Sequence, residues 1–160
     1  MPELEGAPRA PAQGRVALVA SRFNTLVTTE LVAGARQCLT EHGVPESRVD
    51  LIWVPGAFEL PLAASAAALT GKYTVLVALG CVIRGETPHF EYVAGEAARG
   101  LAAVALAHRL AVGFGLLTTA TLEQAMARAG GKSGNKGYEA AEAALRTADV
   151  LARLHATPRD

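Results

Sequence analysis

Four short apolar runs, each leading into a longer stretch with helical spacing, restrict the fold of this chain more than any other feature. Residues 16–20, 49–54, 74–79 and 113–118 have strand length and are dominated by valine, leucine and other apolar side chains. Such runs suit strands covered on both faces, and the intervals between them are long enough to hold crossover helices. The pattern predicts an α/β protein, a three-layer sandwich in which a four-stranded parallel sheet lies between two layers of helices.

The helical stretches have identifiable faces and ends. After the third run, Phe90, Val93, Ala97, Leu101, Val104 and His108 recur at three- or four-residue intervals and so share one side of a helix. Alanine dominates 57–68 and 94–107, which suits close packing of a helix on a sheet or on another subunit. A further helix is expected from about residue 121, capped by Thr121 or Thr119, to residue 129, where Gly130 and Gly131 stop it. The last follows Gly137 and ends near Leu154. Pro2, Pro8 and Pro11 make residues 1–14 a poor helix or central strand, so they read as a tail or edge segment before one domain spanning 15–160.

Charge and composition narrow the partners. Fifteen basic and fifteen acidic residues cancel, and neither sign forms a run, so no basic stripe is available for nucleic acid or an anionic membrane. No stretch reaches the roughly 20 uninterrupted apolar residues that span a bilayer. Two cysteines and an amino-terminal segment without an apolar signal core point to the cytoplasm. Small molecules, or copies of the chain itself, are the expected ligands.

In an open parallel sheet, ligands sit beyond the carboxyl ends of the strands, which directs attention to the residues after Ala20, Val54, Leu79 and Gly115. The third of these segments runs Gly80-Cys81-Val82-Ile83-Arg84-Gly85-Glu86-Thr87-Pro88-His89-Phe90-Glu91-Tyr92-Val93. Thr87 suits a helix N-cap, Pro88 the first helical position and His89 the first turn. That is either an anion site, fitted to phosphate by free N–H groups and the helix dipole, or a plain capped helix. A histidine there is favoured in its neutral, proton-accepting form, although on local pattern alone it also fits a structural role. Gly131-Lys132-Ser133 is no nucleotide loop, because that pattern needs a glycine where Met126 stands. Lys72, Lys132 and Lys136 all fall in expected loops, so no strand lysine offers an enzyme-bound Schiff base. The histidines, cysteines and acids form no metal-ligand spacing, and no cofactor is expected.

Five separated segments together resemble the lumazine synthase family, over essentially all of residues 15–155. They are Ser21-Arg22-Phe23-Asn24, residues 55–61 (Pro-Gly-Ala-Phe-Glu-Leu-Pro), the fourteen-residue segment above, Gly115 to Thr119 with Glu123-Gln124-Ala125, and residues 128–137. Cys81 and the proline-rich tail are the main departures. The resemblance implies a flavodoxin-like fold and a transferase of riboflavin biosynthesis. It implies that 5-amino-6-(D-ribitylamino)uracil condenses with 3,4-dihydroxy-2-butanone 4-phosphate to give 6,7-dimethyl-8-ribityllumazine.

Carried over to these positions, the resemblance implies that Phe23 stacks on the pyrimidine. Ala57, Phe58 and Glu59 hold the ribityl chain, and Cys81, Val82 and Ile83 line the uracil edge through backbone groups. Glu86 and Thr87 cradle the phosphate through main-chain N–H groups, the Glu86 carboxylate pointing away. Arg128 brings a bidentate cation to that phosphate, Phe114 closes the uracil site from a neighbouring subunit, Lys136 approaches the same cleft, and His89 moves protons. Residue by residue there are plainer readings: Phe23 buried under its loop, Glu59 as a helix-start acid, Arg128 as a cation at a helix end. The family further implies pentamers, with active sites between adjacent subunits, and an association with riboflavin synthase. The short turn 130–137 fits the members that stack pentamers into a sixty-subunit shell, and the tail fits an added edge strand on a neighbour. The competing readings are a non-catalytic flavin- or lumazine-binding shell protein of the same fold, and a flavodoxin-like phosphate-binding module outside riboflavin synthesis.

Overall fold

The computed structural model describes residues 1–156, so the last four residues of the expected 15–160 unit lie outside it. Strands β1 (Arg15–Ser21), β2 (Val49–Val54), β3 (Tyr73–Ile83) and β4 (Ala111–Thr119) form one parallel sheet in the order β2-β1-β3-β4. Helices α1 (Thr25–Glu41), α2 (Leu60–Leu69), α3 (His89–His108), α4 (Leu122–Ala127) and α5 (Lys136–Ala156) occupy the connections and the end of the chain. The expected three-layer α/β sandwich is the fold.

The period of two along each strand sorts the core into two layers. Val16, Leu18 and Ala20 of β1, with Val77 and Leu79 of β3, pack against α1 and α5 through Leu31, Ala35, Ala141 and Leu145. The intervening Ala17 and Val19, with Leu76 and Ala78, face α2 and α3 through Leu60, Ala64, Ala97 and Leu101. Each fully buried leucine or valine contributes roughly 1.5–3 kcal/mol, several times the few tenths that separate helix propensities. The sheet therefore decides where helices of ordinary propensity dock. The expected α3 stripe holds: Ala97, Leu101 and Val104 are buried, while Phe90, Val93 and His108 are half-buried at its ends.

Two departures from the expected boundaries have a pairing cause. β3 continues past Leu79 to Ile83 because β4 goes on pairing with it, through Cys81↔Leu117 and Ile83↔Thr119. β1 stops pairing at Ala20↔Leu79, so β3 overhangs it by four residues. Secondly, the turn before α5 is a small antiparallel ladder of β5 (Ala129–Gly131) and β6 (Gly134–Asn135), and Lys136 opens α5 instead of lying in a loop. The close packing of α5 on the sheet depends on Gly113, where an added Cβ would come within 2.3 Å of the Ala140 carbonyl oxygen.

The tail forms no strand within its own chain. Ala7 N–H donates to the Asp149 carboxylate at 2.9 Å, Ala10 N–H donates to the His42 carbonyl at 3.1 Å, and Arg48 donates to the Pro11 and Gly14 carbonyls. Pro8 and Pro11 lack the N–H a ladder needs.

Candidate active site

The overhang of β3 makes the floor of a cleft. Above the carboxyl ends of β1 and β3, between the turn of 3-10 helix at Ala57–Glu59 and the start of α3, lies a cavity of about 860 Å³. That is within the range of small-molecule sites. Cys81, Val82 and Ile83 form its base. Cys81 is buried, and burial pushes its thiol up to about 11, so it is a neutral wall at neutral pH and no nucleophile.

Phe23 enters from the β1–α1 turn with 71% of its surface exposed, on a backbone anchored from beneath. Arg22 N–H donates to the Val54 carbonyl at 2.8 Å, and Phe23 N–H donates to the Pro55 carbonyl at 2.9 Å. Ala57, Phe58 and Glu59 stand on the facing wall. Ala57 is buried and Phe58 is exposed, which leaves an apolar ring and backbone groups towards the cavity. Glu59 Oε1 accepts from Gly56 N–H at 3.0 Å; the helix-start bond and the cleft position coexist in one carboxylate.

His89 and Thr87 close the far side with Gly85, and Glu86 is exposed outside the lining. The expected cap is displaced by one residue. Pro88 is the N-cap of α3 and His89 its first helical residue, so the Thr87 hydroxyl is too far back to cap and makes no such bond. The Thr87 side chain is thereby released to the cleft. First-turn N–H groups without an intrahelical partner still face outward here, at the positive end of a twenty-residue helix.

Phe114 and Arg128 are elsewhere in the chain. They line a separate hollow of about 430 Å³ at the outer edge of β4, with Thr118, Thr119 and Lys136. No residue lines both cavities. Arg128 is the C-cap of α4, and its Nη1 donates to the Gln124 carbonyl at 2.9 Å, as the plain helix-end reading requires. Its backbone also accepts from Lys136 N–H at 2.8 Å, which brings the two cations to one rim. Thr121 caps α4, accepting from Gln124 N–H at 3.1 Å, while Thr119 Oγ1 donates to the Thr121 carbonyl. One chain thus carries an aromatic cleft with His89 above β1 and β3, and a separate cationic hollow at the edge strand β4.

Sequence reasoning missed Tyr92, Val93 and Glu96 in the cleft wall. They follow His89 at three, four and seven residues, one face of α3, so helical spacing carried the signal. Among the described residues no helix is long and apolar enough to cross a membrane, and no group of three His, Cys, Asp or Glu side chains is placed to hold a metal. Compared with known protein families, residues 13–152 match the model described as 6,7-dimethyl-8-ribityllumazine synthase.

Proposed function

Because this chain belongs to the 6,7-dimethyl-8-ribityllumazine synthase family, we propose that it condenses 5-amino-6-(D-ribitylamino)uracil with 3,4-dihydroxy-2-butanone 4-phosphate in a site completed by a second copy of itself. The observation that carries this reading is the division of charge and aromatics between two cavities. The cleft holds His89, Phe23 and Glu59 but no arginine or lysine, while Arg128 and Lys136 share the hollow at the β4 edge with Phe114. A phosphate substrate needs the two brought together.

In this proposal Phe23 stacks on the pyrimidine and the Cys81–Ile83 backbone reads its edge. Ala57, Phe58 and the second Glu59 oxygen hold the ribityl chain. The phosphate lies at the N-terminus of α3 beside Thr87 and the Glu86 backbone, and Arg128 of a neighbouring copy grips it while Phe114 of that copy closes over the heterocycle. The substrate amine attacks the ketone carbon, and loss of water gives an imine. Removal of the C3 proton by His89 starts the elimination of phosphate. After tautomerisation the ribitylamino nitrogen attacks the remaining carbonyl, and a second water leaves as the ring closes. Every reacting nitrogen comes from substrate, so no lysine is called upon.

Incubating the protein with both substrates and following lumazine fluorescence together with released phosphate tests the proposal. Formation of both, in equal amounts, is the expected result. Lumazine binding without turnover would instead mark a non-catalytic shell protein of this fold.

A further inference from the structure

We infer that Asn24 is a positioning residue for the heterocycle slot, setting the separation between the Phe23 ring and the Cys81–Ile83 backbone; the inference rests on the substrate reading above. Asn24 departs from ordinary behaviour twice. Its backbone is left-handed, with φ 61° and ψ 47°, a region costly for any side chain and least so for asparagine. It is also the N-cap of α1, yet its side chain caps nothing. An asparagine in that place ordinarily accepts a bond from the second or third helical N–H.

The amide is spent across the cleft floor. Asn24 Nδ2 donates to the Cys81 carbonyl at 2.9 Å. The last β1–β3 pair is Ala20↔Leu79, so Cys81 lies just beyond the point where β1 leaves the ladder. The side chain continues, by one bond, the pairing that the β1 backbone gives up, and satisfies a carbonyl that burial would otherwise leave orphaned. Phe23 is consequently held from both sides: its own N–H is tied to the end of β2 at 2.9 Å, and the next residue is tied to the end of β3. An exposed ring on a turn has no packing to fix its height, and these two bonds supply that constraint. Left-handed geometry at residue 24 is what turns the side chain towards β3 and away from α1.

Asn24→Gly separates this role from helix initiation, since glycine keeps the left-handed backbone without strain but has no amide. The measurement is steady-state lumazine formation with each substrate varied, alongside thermal unfolding. Loss of one hydrogen bond that orients the ring raises KM for the aminouracil about five- to tenfold, with KM for the butanone phosphate and kcat within about twofold of wild type. Asn24→Asp, which sets an acceptor against the Cys81 carbonyl, moves the same KM in the same direction. Wild-type KM values in folded Asn24→Gly or Asn24→Asp protein overturn the inference, as does failure of both variants to fold, which would make the amide a folding contact only. If the wild-type chain forms no lumazine in the same assay, the substrate reading itself has failed.

Discussion

His89 is exposed to the cleft in the first turn of α3, and its contribution in the proposed reaction is bounded by what one general base provides. That bound is about 10²- to 10⁴-fold, whereas holding two substrates together supplies roughly 7–11 kcal/mol of barrier. His89→Ala is therefore expected to lower kcat within that range while lumazine formation continues above the uncatalysed rate. Arg128→Ala is expected to act chiefly on KM for the butanone phosphate and more severely on kcat/KM; steady-state kinetics with each substrate varied distinguishes the two patterns. Cys81→Ala should leave kcat almost unchanged, because a thiol held near 11 by burial carries no charge in the reaction. The residues of the cleft were legible in the sequence where they belong to compact segments such as 80–93. The Asn24 to Cys81 bond was not, because 57 residues separate its ends and only the fold reveals where β1 leaves the ladder.

Among the elements, the parallel sheet was readable because continuous apolar runs and helical spacing are both local signals. The ends of strands were less so: β3 gains Gly80–Ile83 from pairing with β4, a partner more than thirty residues away. The same edge makes a packing prediction. Gly113→Ala puts a methyl group against the Ala140 carbonyl and Ala144, forcing α5 off β4, and should cost about 1–3 kcal/mol in denaturant unfolding. At the amino ends of the strands a clamp joins three of them: Arg15 of β1 donates two bonds of 2.7 Å to Asp50 of β2, and Tyr73 of β3 donates one of 2.9 Å. The Arg15 guanidinium first, and the Tyr73 hydroxyl after it, hold the Asp50 carboxyl down from its ordinary 3.8 to about 2. A carboxyl depressed in the folded state stabilises it above the unfolded value and loses that effect as pH falls through the folded one. Thermal unfolding of Asp50→Asn should thus lie below wild type by a constant margin from neutrality to about pH 4, and the gap should close between about pH 4 and 2.

At the scale of the whole molecule, the isolated chain leaves unusual apolar surface uncovered. Leu62 and Leu69 on α2 and Leu106 on α3 are each at least three-quarters exposed. The cleft lies above β1 and β3 and the cationic hollow at the edge strand β4; in the proposed cyclic assembly each interface unites the cleft of one copy with the hollow of the next. The separation of Arg128 from His89 was not legible in sequence, where one closes the helix after the fourth apolar run and the other opens the helix after the third; it became visible only once β4 was placed at the edge. Light scattering is expected to return the mass of a sixty-subunit shell, and a mass near five subunits across buffers would restrict the assembly to the pentamer. The shared site itself is tested most directly by mixing. His89→Ala and Arg128→Ala chains, unfolded together and co-assembled in equal amounts, place an intact cleft beside an intact hollow at roughly one interface in four. Recovery of about a quarter of wild-type lumazine formation, well above either parent alone, is the expected result. Mixed assemblies no more active than the average of the two parents would contradict the shared site.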